Sequence, residues 1–390
     1  MFTQWLITYS VTKFLGYENA GVFALAMSLS STFSTISSYG IRSYQVSDVT
    51  KEFDDNTYIV TRIYTTLASM LVFMVFILFC NFDYFQIICV LTYMLFKLSE
   101  PLTDVYHGID QLNMRMDFIG ISFILKGIFT SIVFILIIWF SKNLVFGIIS
   151  LTITSYLVLV LFDQKKSSQF YKKKKISFNL VVQLLLKCLP LACYNFLFTT
   201  YTTIPRYFLE KIMGSELLGI YASVALPVII VQTLATFLFN PFITIFADNW
   251  NKGDYNEFNK LFKQIFIILT LISIAAIIGA LLLGDLGLKL LFGEQILKYS
   301  SLLIPLVWCT ILTSFLWFIS AIIIVIRNLK ILVISGLIAV IICLLGSTNL
   351  ITIFGLNGAS YITIISLFVQ IAILFIYLYF RKIKTQVKND

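Results

Sequence analysis

The chain is 390 residues long, 59% hydrophobic and only 12% charged, with a mean hydropathy of +0.94. Soluble domains carry about 25% charged residues, so this composition excludes a soluble globular protein and identifies an integral membrane protein. The net charge of +9 does not point to nucleic acid, because the basic residues sit mostly in short connections between apolar runs, the pattern of cytoplasmic loops.

A helix needs about 20 apolar residues to cross a bilayer. Residues 1–14 fall short of that and lead into a polar turn, LGYENAGVFA at 15–24. Apolar runs then occupy 20–40, 59–80, 84–106, 118–140 and 144–162, making six helices with the short first one. The most charged segment, DQKKSSQFYKKKKISF at 163–178, follows as a linker. Further runs occupy 180–209, 217–247, 261–283, 301–326, 331–350 and 356–380. The expected architecture is therefore an all-α polytopic membrane protein of two homologous six-helix lobes, 1–163 and 179–390, about a central cavity, with a basic linker at 164–178.

The homology of the halves rests on two internal matches. The turn recurs as MGSELLGIYA at 213–222, which aligns Gly16 with Gly214, Glu18 with Glu216, Gly21 with Gly219 and Ala24 with Ala222. Gly147, Thr152, Ile153 and Ser155 recur as Gly358, Thr363, Ile364 and Ser366. Self-similarity over so long a separation signals a duplicated domain, not a solenoid. The same alignment sets Met1 against Thr199, so the sequence is expected to begin partway through its first membrane helix, through a misassigned start or a natural shortening.

Placing the N-terminus inside puts most of the 28 basic residues in cytoplasmic connections, among them Arg42, Lys51, Arg62, Lys172 to Lys175, Arg327 and Lys388. The positive-inside rule then sets both termini in the cytoplasm. The linker lysines read as a solvated linker that also fixes topology, or as a segment held to anionic lipid at about 1 kcal/mol per basic residue. DNWNKGDYNEFNKLFK at 248–263 alternates charge with aromatics and is expected to form an interfacial helix, as is the outer segment 286–300.

No Walker loop, HExxH, GxSxG or Asp-x-Asp pair occurs, and the six cysteines have no metal or redox spacing. An enzyme is not expected, nor a cofactor or a metal site; His107 is the sole histidine.

The informative residues are ionisable groups within apolar runs, each costing roughly 2.5–3.5 kcal/mol at the helix centre. Lys97, Glu100 and Asp104 share one helix face, with Pro101 between them expected to kink the helix. They read either as a self-neutralising buried group or as the lining of a wet pathway. Lys126 has no acid three or four residues away on its own helix. It either snorkels to the surface or takes an anion from elsewhere, Glu100 or Asp104 being the nearest expected. Arg206 is matched by Glu210 four residues later, Lys187 lies close enough to the inner surface to snorkel, and Arg42 is expected to cap the second helix. Tyr194, Tyr201 and Tyr207 recur along one helix and are expected to belt the lipid interface, the alternative being the lining of a sugar-accessible cavity.

With two six-helix lobes and the LGxExxGxFA turn, the chain resembles the Wzx-type polysaccharide flippases of the multidrug/oligosaccharidyl-lipid/polysaccharide exporter superfamily. The matching segments are YGIRSYQVSD at 39–48, EPLTDVYHGIDQLNMRMD at 100–117, SFILKG at 122–127, PRYFLEKIMGSELLGIYA at 205–222 and NPFITIFADNWNKGD at 240–254. The resemblance implies translocation of undecaprenyl-diphosphate-linked O-antigen or capsule repeat units from the inner to the outer leaflet of the bacterial cytoplasmic membrane, by alternating access. A polysaccharide polymerase and a chain-length regulator are implied partners. Such a headgroup needs fixed positive charge, for which Arg42, Lys97, Lys126 and Arg206 are the candidates, with Glu100 or Asp104 coupling transport to protons. A small-molecule exporter of the same superfamily and a membrane polysaccharide polymerase are the alternatives.

Overall fold

The third helix shows why this chain folds in lipid and not in water. Along α3 (Asp55–Leu78), Thr57, Thr61, Thr65 and Ser69 recur at every fourth position and are buried, while Ile63, Leu67, Leu71, Val75 and Leu78 form an exposed stripe. Apolar residues outward and hydroxyls inward is the reverse of a water-soluble amphipathic helix. Three of these four hydroxyls find backbone partners: Thr61 Oγ1 donates to the Thr57 carbonyl at 2.7 Å, Thr65 Oγ1 to that of Ser37 at 2.8 Å and Ser69 Oγ to that of Phe33 at 2.7 Å.

The computed structural model describes residues 2–48, 52–171, 176–229, 232, 235, 238–239, 242–326 and 328–386. Lys51, Lys172 to Lys175, Arg327 and Lys388, and part of the matching segment 240–254, lie outside the described residues. Among those described, every regular element is helical. The order is α1 (Phe2–Ser38), α2 (Ile41–Ser47), α3, α4 (Tyr84–Leu112), α5 (Met116–Ser141) and α6 (Leu144–Val158), the last continuing through a π-helical segment, Leu159–Gln164. Then come α7 (Phe178–Met213), α8 (Ser215–Ala225), α9 (Ile243–Lys252), α10 (Tyr255–Phe292), a 3₁₀ segment Glu294–Leu302, α11 (Leu303–Val325), α12 (Leu329–Phe354) and α13 (Leu356–Gln386). Ten stretches among the described residues are long and apolar enough to cross a membrane. The difference from the expected twelve has two sources. The first two expected helices run on as α1 across a kink at Gly16, and the expected run 217–247 includes residues outside the described set.

Two compact units divide the chain, Met1–Thr203 and Ile204–Asp390, the division falling within α7; the sequence-based boundary is the linker 164–178. In the first unit the front of α7 is fastened to α1: Thr32 and Thr203 hydroxyls lie 2.8 Å apart and Thr203 donates to the Ser28 carbonyl at 3.2 Å. Helix starts follow ordinary capping chemistry. Asp83 Oδ1 accepts from Gln86 N at 2.7 Å while Gln86 Oε1 accepts from Asp83 N at 3.2 Å, and Asn143 Oδ1 accepts from Val145 N at 2.9 Å.

The repeated turn has the same backbone in both units. Gly16 has φ 84° and ψ 176°, and Gly214 has φ 86° and ψ 168°, a region open essentially to glycine alone. A Cβ at either position would meet nothing within 4 Å, so the requirement is conformational and not steric. Gly16→Ala and Gly214→Ala are each expected to cost about 1–3 kcal/mol, read as similar losses of Tm in detergent. Gly279→Ala, equally uncrowded but in ordinary helical backbone within α10, is the control and is expected to be neutral or stabilising.

Three expectations change in the folded chain. The segment 248–263 is not one interfacial helix: Gly253, in the left-handed region, ends α9, and Asp254 caps α10 by accepting from Glu257 N at 3.1 Å. Of its aromatics Phe258 is buried, its ring 5.1 Å from that of buried Phe246 just before the segment, while Trp250, Tyr255 and Phe262 are half-buried. The outer segment 286–300 is divided between the end of α10 and the 3₁₀ turn. Tyr194 and Tyr201 are buried within the first unit and do not belt the lipid interface.

Candidate functional site

Charged side chains from α2, α3, α4, α5 and the π-helical end of α6 converge in the first unit. Beside them lies a cavity of about 530 Å³ whose lining includes Gln4, Tyr93, Glu100, Asp104, His107 and Lys126. Residues of α1, α4, α5 and α6 line it, and α4 runs as one helix through Pro101, where the proline removes the backbone bond to the carbonyl four residues back.

The first cluster is built on Asp104. Arg42 Nη1 donates to Asp104 Oδ1 at 2.5 Å, and Arg42 Nη2 to Gln111 Oε1 at 2.8 Å. Arg62 Nη2 lies 3.7 Å from Asp104 Oδ2. Arg62 is fully buried, and its Nη1 donates to the carbonyls of Ser37, at 2.7 Å, and Ser38. These are the last carbonyls of α1, where the chain breaks at left-handed Gly40. A cation there satisfies acceptors that have no intrahelical donor and sits at the negative end of the helix dipole. The helix end is therefore capped by Arg62, expected in a loop, and not by Arg42, which turns to α4.

Lys97 pairs with Glu100 at 2.5 Å, three residues apart on one helix face, and the Glu100 side chain is half-exposed and lines the cavity. Asp104, on the same face, belongs to the arginines instead.

The second cluster holds Lys126. Its ammonium donates to Thr103 Oγ1 and lies 3.5 Å from Asp163 Oδ2, while His107 Nε2 lies 3.4 Å from Asp163 Oδ1. The anion that Lys126 lacks on its own helix is thus Asp163, neither Glu100 nor Asp104. Asp163 and His107 are almost wholly buried, at 1% and 2% exposure. Neither Asp163 Oδ2 nor His107 Nε2 has a hydrogen-bond partner among the described residues. The contacts are close enough for charge attraction but too long for good hydrogen bonds. Arg206 is half-buried and belongs to the second unit.

The segments on which the family resemblance rests have packing roles here. Gln45 Nε2 donates to the Val105 carbonyl at 3.1 Å, and a Cβ on Gly108 would fall 2.1 Å from Gln45 Oε1, so glycine there lets α2 sit against α4. Asp48 shapes the connection after α2, accepting from the backbone N–H of Glu52 at 2.8 Å and of Phe53 at 3.0 Å, and from the Tyr58 hydroxyl at 2.8 Å.

Glu52 receives hydrogen bonds from Lys187 and, at 2.9 Å, from Tyr44 Oη. Lys187 first, and Tyr44 second, hold the Glu52 carboxyl below the ordinary glutamate range. In the unfolded chain it returns to about 4.3, so the contact contributes fully above that pH and is lost as pH falls through the lower folded value. Lys187→Met is expected to lower Tm at pH 7, with the difference shrinking as pH falls below the unfolded glutamate value. Thermal unfolding of both proteins across that range checks it.

No family model matches the chain. It is 26% identical over 296 residues to the capsular polysaccharide biosynthesis protein CapF of Staphylococcus aureus, covering 75% of this chain and 74% of that protein. Among solved structures it is similar to the lipid II flippase MurJ in an inward closed conformation, with a TM-score of 0.74, 14% identity, and 97% of this chain and 85% of that one covered. It is also similar to an inward-facing multidrug resistance MATE transporter of the MOP superfamily, with a TM-score of 0.72, 13% identity, and 100% and 96% covered. The fold is that of these multi-span helical transporters.

Proposed function

From a fold shared with a lipid flippase and with drug exporters, we propose that the chain is a flippase. Its substrate is an undecaprenyl-diphosphate-linked oligosaccharide repeat unit, moved from the inner to the outer leaflet of a bacterial cytoplasmic membrane for surface polysaccharide biosynthesis, with both termini cytoplasmic. The observation that carries this reading is the cavity in the first unit, where Lys126 reaches a space of about 530 Å³ alongside Glu100 and Asp104. That volume is in the range that holds one drug-sized ligand, the scale of a diphosphate with its first sugar, while the isoprenoid tail stays in lipid. Lys126 and Arg42 are the cations offered to the diphosphate in this unit. Lys97 and the second unit's Arg206 are further contacts along the route. Glu100 and Asp104 are the acids that couple transport to protons. The CapF relative supports a polysaccharide substrate over a small molecule. An inside-negative membrane potential favours outward transfer of the anionic headgroup by about 2.3 kcal/mol per charge per 100 mV.

The test is complementation of a strain lacking its polysaccharide flippase, in a host with a matched repeat unit. The wild-type gene is expected to restore surface polysaccharide, and Lys126→Ala to abolish restoration at unchanged membrane abundance. Resistance to cationic dyes without restored polysaccharide would assign the chain to small-molecule export instead.

A further inference from the structure

Asp163 is a carboxylate with two claimants. On one side is Lys126, 3.5 Å away and reaching the cavity; on the other is His107, 3.4 Å away through Nε2. The other carboxylates nearby have partners of their own: Glu100 has Lys97, Asp104 has Arg42 with Arg62 behind it, and Asp110 accepts from Ser167 Oγ at 2.9 Å. Asp110 and Asp163 both lie within electrostatic reach of His107, Arg115 acts on Asp110, and Glu100 and Asp104 act on Lys126. Among the described residues, Lys126 is the one lysine or arginine ion-paired with Asp163.

An anionic headgroup that takes Lys126 therefore strips Asp163, at 1% exposure, of its counter-ion. An uncompensated buried carboxylate is strongly disfavoured. His107 is placed to replace the lost charge by accepting a proton from solvent at Nε2. A new N–H bond forms, the imidazolium faces Asp163, and Lys126 is released to the ligand. The charge of the three side chains rises from zero to +1, offsetting one charge of the anion.

We propose that His107, Asp163 and Lys126 form a proton-linked exchange site, at which capture of a diphosphate headgroup by Lys126 loads one proton onto the His107–Asp163 pair. This rests on the headgroup reading above and adds to it a stoichiometry and a residue that the reading does not use. By linkage, proton and headgroup strengthen one another's binding equally. In the pH range between the free and bound titrations, headgroup affinity rises about tenfold per unit fall in pH.

The chain's single histidine makes the test direct. The purified protein, freed of any affinity tag, carries isotopically labelled histidine, and its imidazole resonance is titrated alone, with undecaprenyl diphosphate and with inorganic pyrophosphate. Calorimetry in buffers of different ionisation enthalpy counts the protons. We expect the midpoint of the His107 titration to rise when undecaprenyl diphosphate binds, with uptake near one proton per headgroup above the free midpoint. The uptake should be lost in His107→Gln, while Lys126→Gln weakens binding tenfold or more and leaves the resonance unmoved by ligand. A shift induced by pyrophosphate as well supports the site and identifies the phosphates as what it reads; a shift with the lipid alone supports it and assigns recognition to the lipid-linked form. Binding of the lipid with an unmoved histidine overturns the proposal and leaves the flippase reading intact. Absence of binding by either ligand overturns both. The resonance is read on unsubstituted protein, so the result stands even where a variant fails to fold.

Discussion

Arg62→Ala is expected to remove most of the folded protein from the membrane. The side chain is fully buried and donates to the carbonyls of both Ser37 and Ser38. Ser37 keeps a second donor in Thr65 Oγ1, but the Ser38 carbonyl has no other donor among the bonds described, and Asp104 loses the more distant of its two arginine partners, Arg62 at 3.7 Å, while keeping Arg42 at 2.5 Å. Removing one partner of a buried charged arrangement costs about 3–5 kcal/mol, a large part of the 5–15 kcal/mol that holds a typical domain folded. Arg62→Met separates the causes, because it retains most of the volume and none of the donors. If hydrogen bonding to the α1 terminus is what matters, Met behaves like Ala in detergent melting and membrane abundance; Met behaving like the wild type would refute the capping role. Arg42→Met, at a side chain 25% exposed, is expected to cost far less stability.

The second large effect is expected at Gly358, at the start of α13. An added Cβ would lie 2.1 Å from the carbonyl oxygen of Leu350 and 2.7 Å from the Cα of Ile351. Both atoms are backbone of α12, and no rotamer change relieves the contact. The hairpin turns at Gly355, whose carbonyl accepts from Gly358 N at 2.9 Å, so the two helices can separate only by opening this turn. Overpacking a well-filled site costs typically about 1–3 kcal/mol and sometimes more, and Gly358→Ala belongs at or beyond the top of that range. Its counterpart in the internal repeat, Gly147, is the informative comparison. There the added Cβ would meet the side chains of Ile138, at 2.5 Å, and Phe134, at 2.9 Å. Side chains yield where backbone does not, so Gly147→Ala is expected to be the milder variant. Equal Tm losses would show that backbone contact is not what sets the cost.

Both copies of the repeated turn could be read from the residues, because glycine at a required backbone angle leaves a mark in one dimension. Gly16 and Gly214 were recognisable as a repeat, and their matching φ and ψ show the shared reason. The pair Lys97–Glu100 was legible for the same kind of reason: spacing along one helix decides which residues share a face. Spacing says nothing of what faces it from another helix. Arg62 lay near the polar start of an apolar run and read as a loop cation, yet packing against the end of α1 buries it completely. Asp163 read as the first residue of a charged linker, since the apolar run ends before it. The chain instead continues in π-helical geometry through Gln164, carrying Asp163 into the same cluster as Lys126 and His107.

By itself the amino-acid order determined that this is a many-helix membrane protein with an internally repeated plan, because hydropathy and repeated glycines are local properties that lipid and backbone geometry impose directly. Only the tertiary structure decided which charge answers which. A buried ion pair is a relation between helices far apart in sequence, and among several acids and bases of equal chemistry the choice of partner is made by which faces the packing brings together.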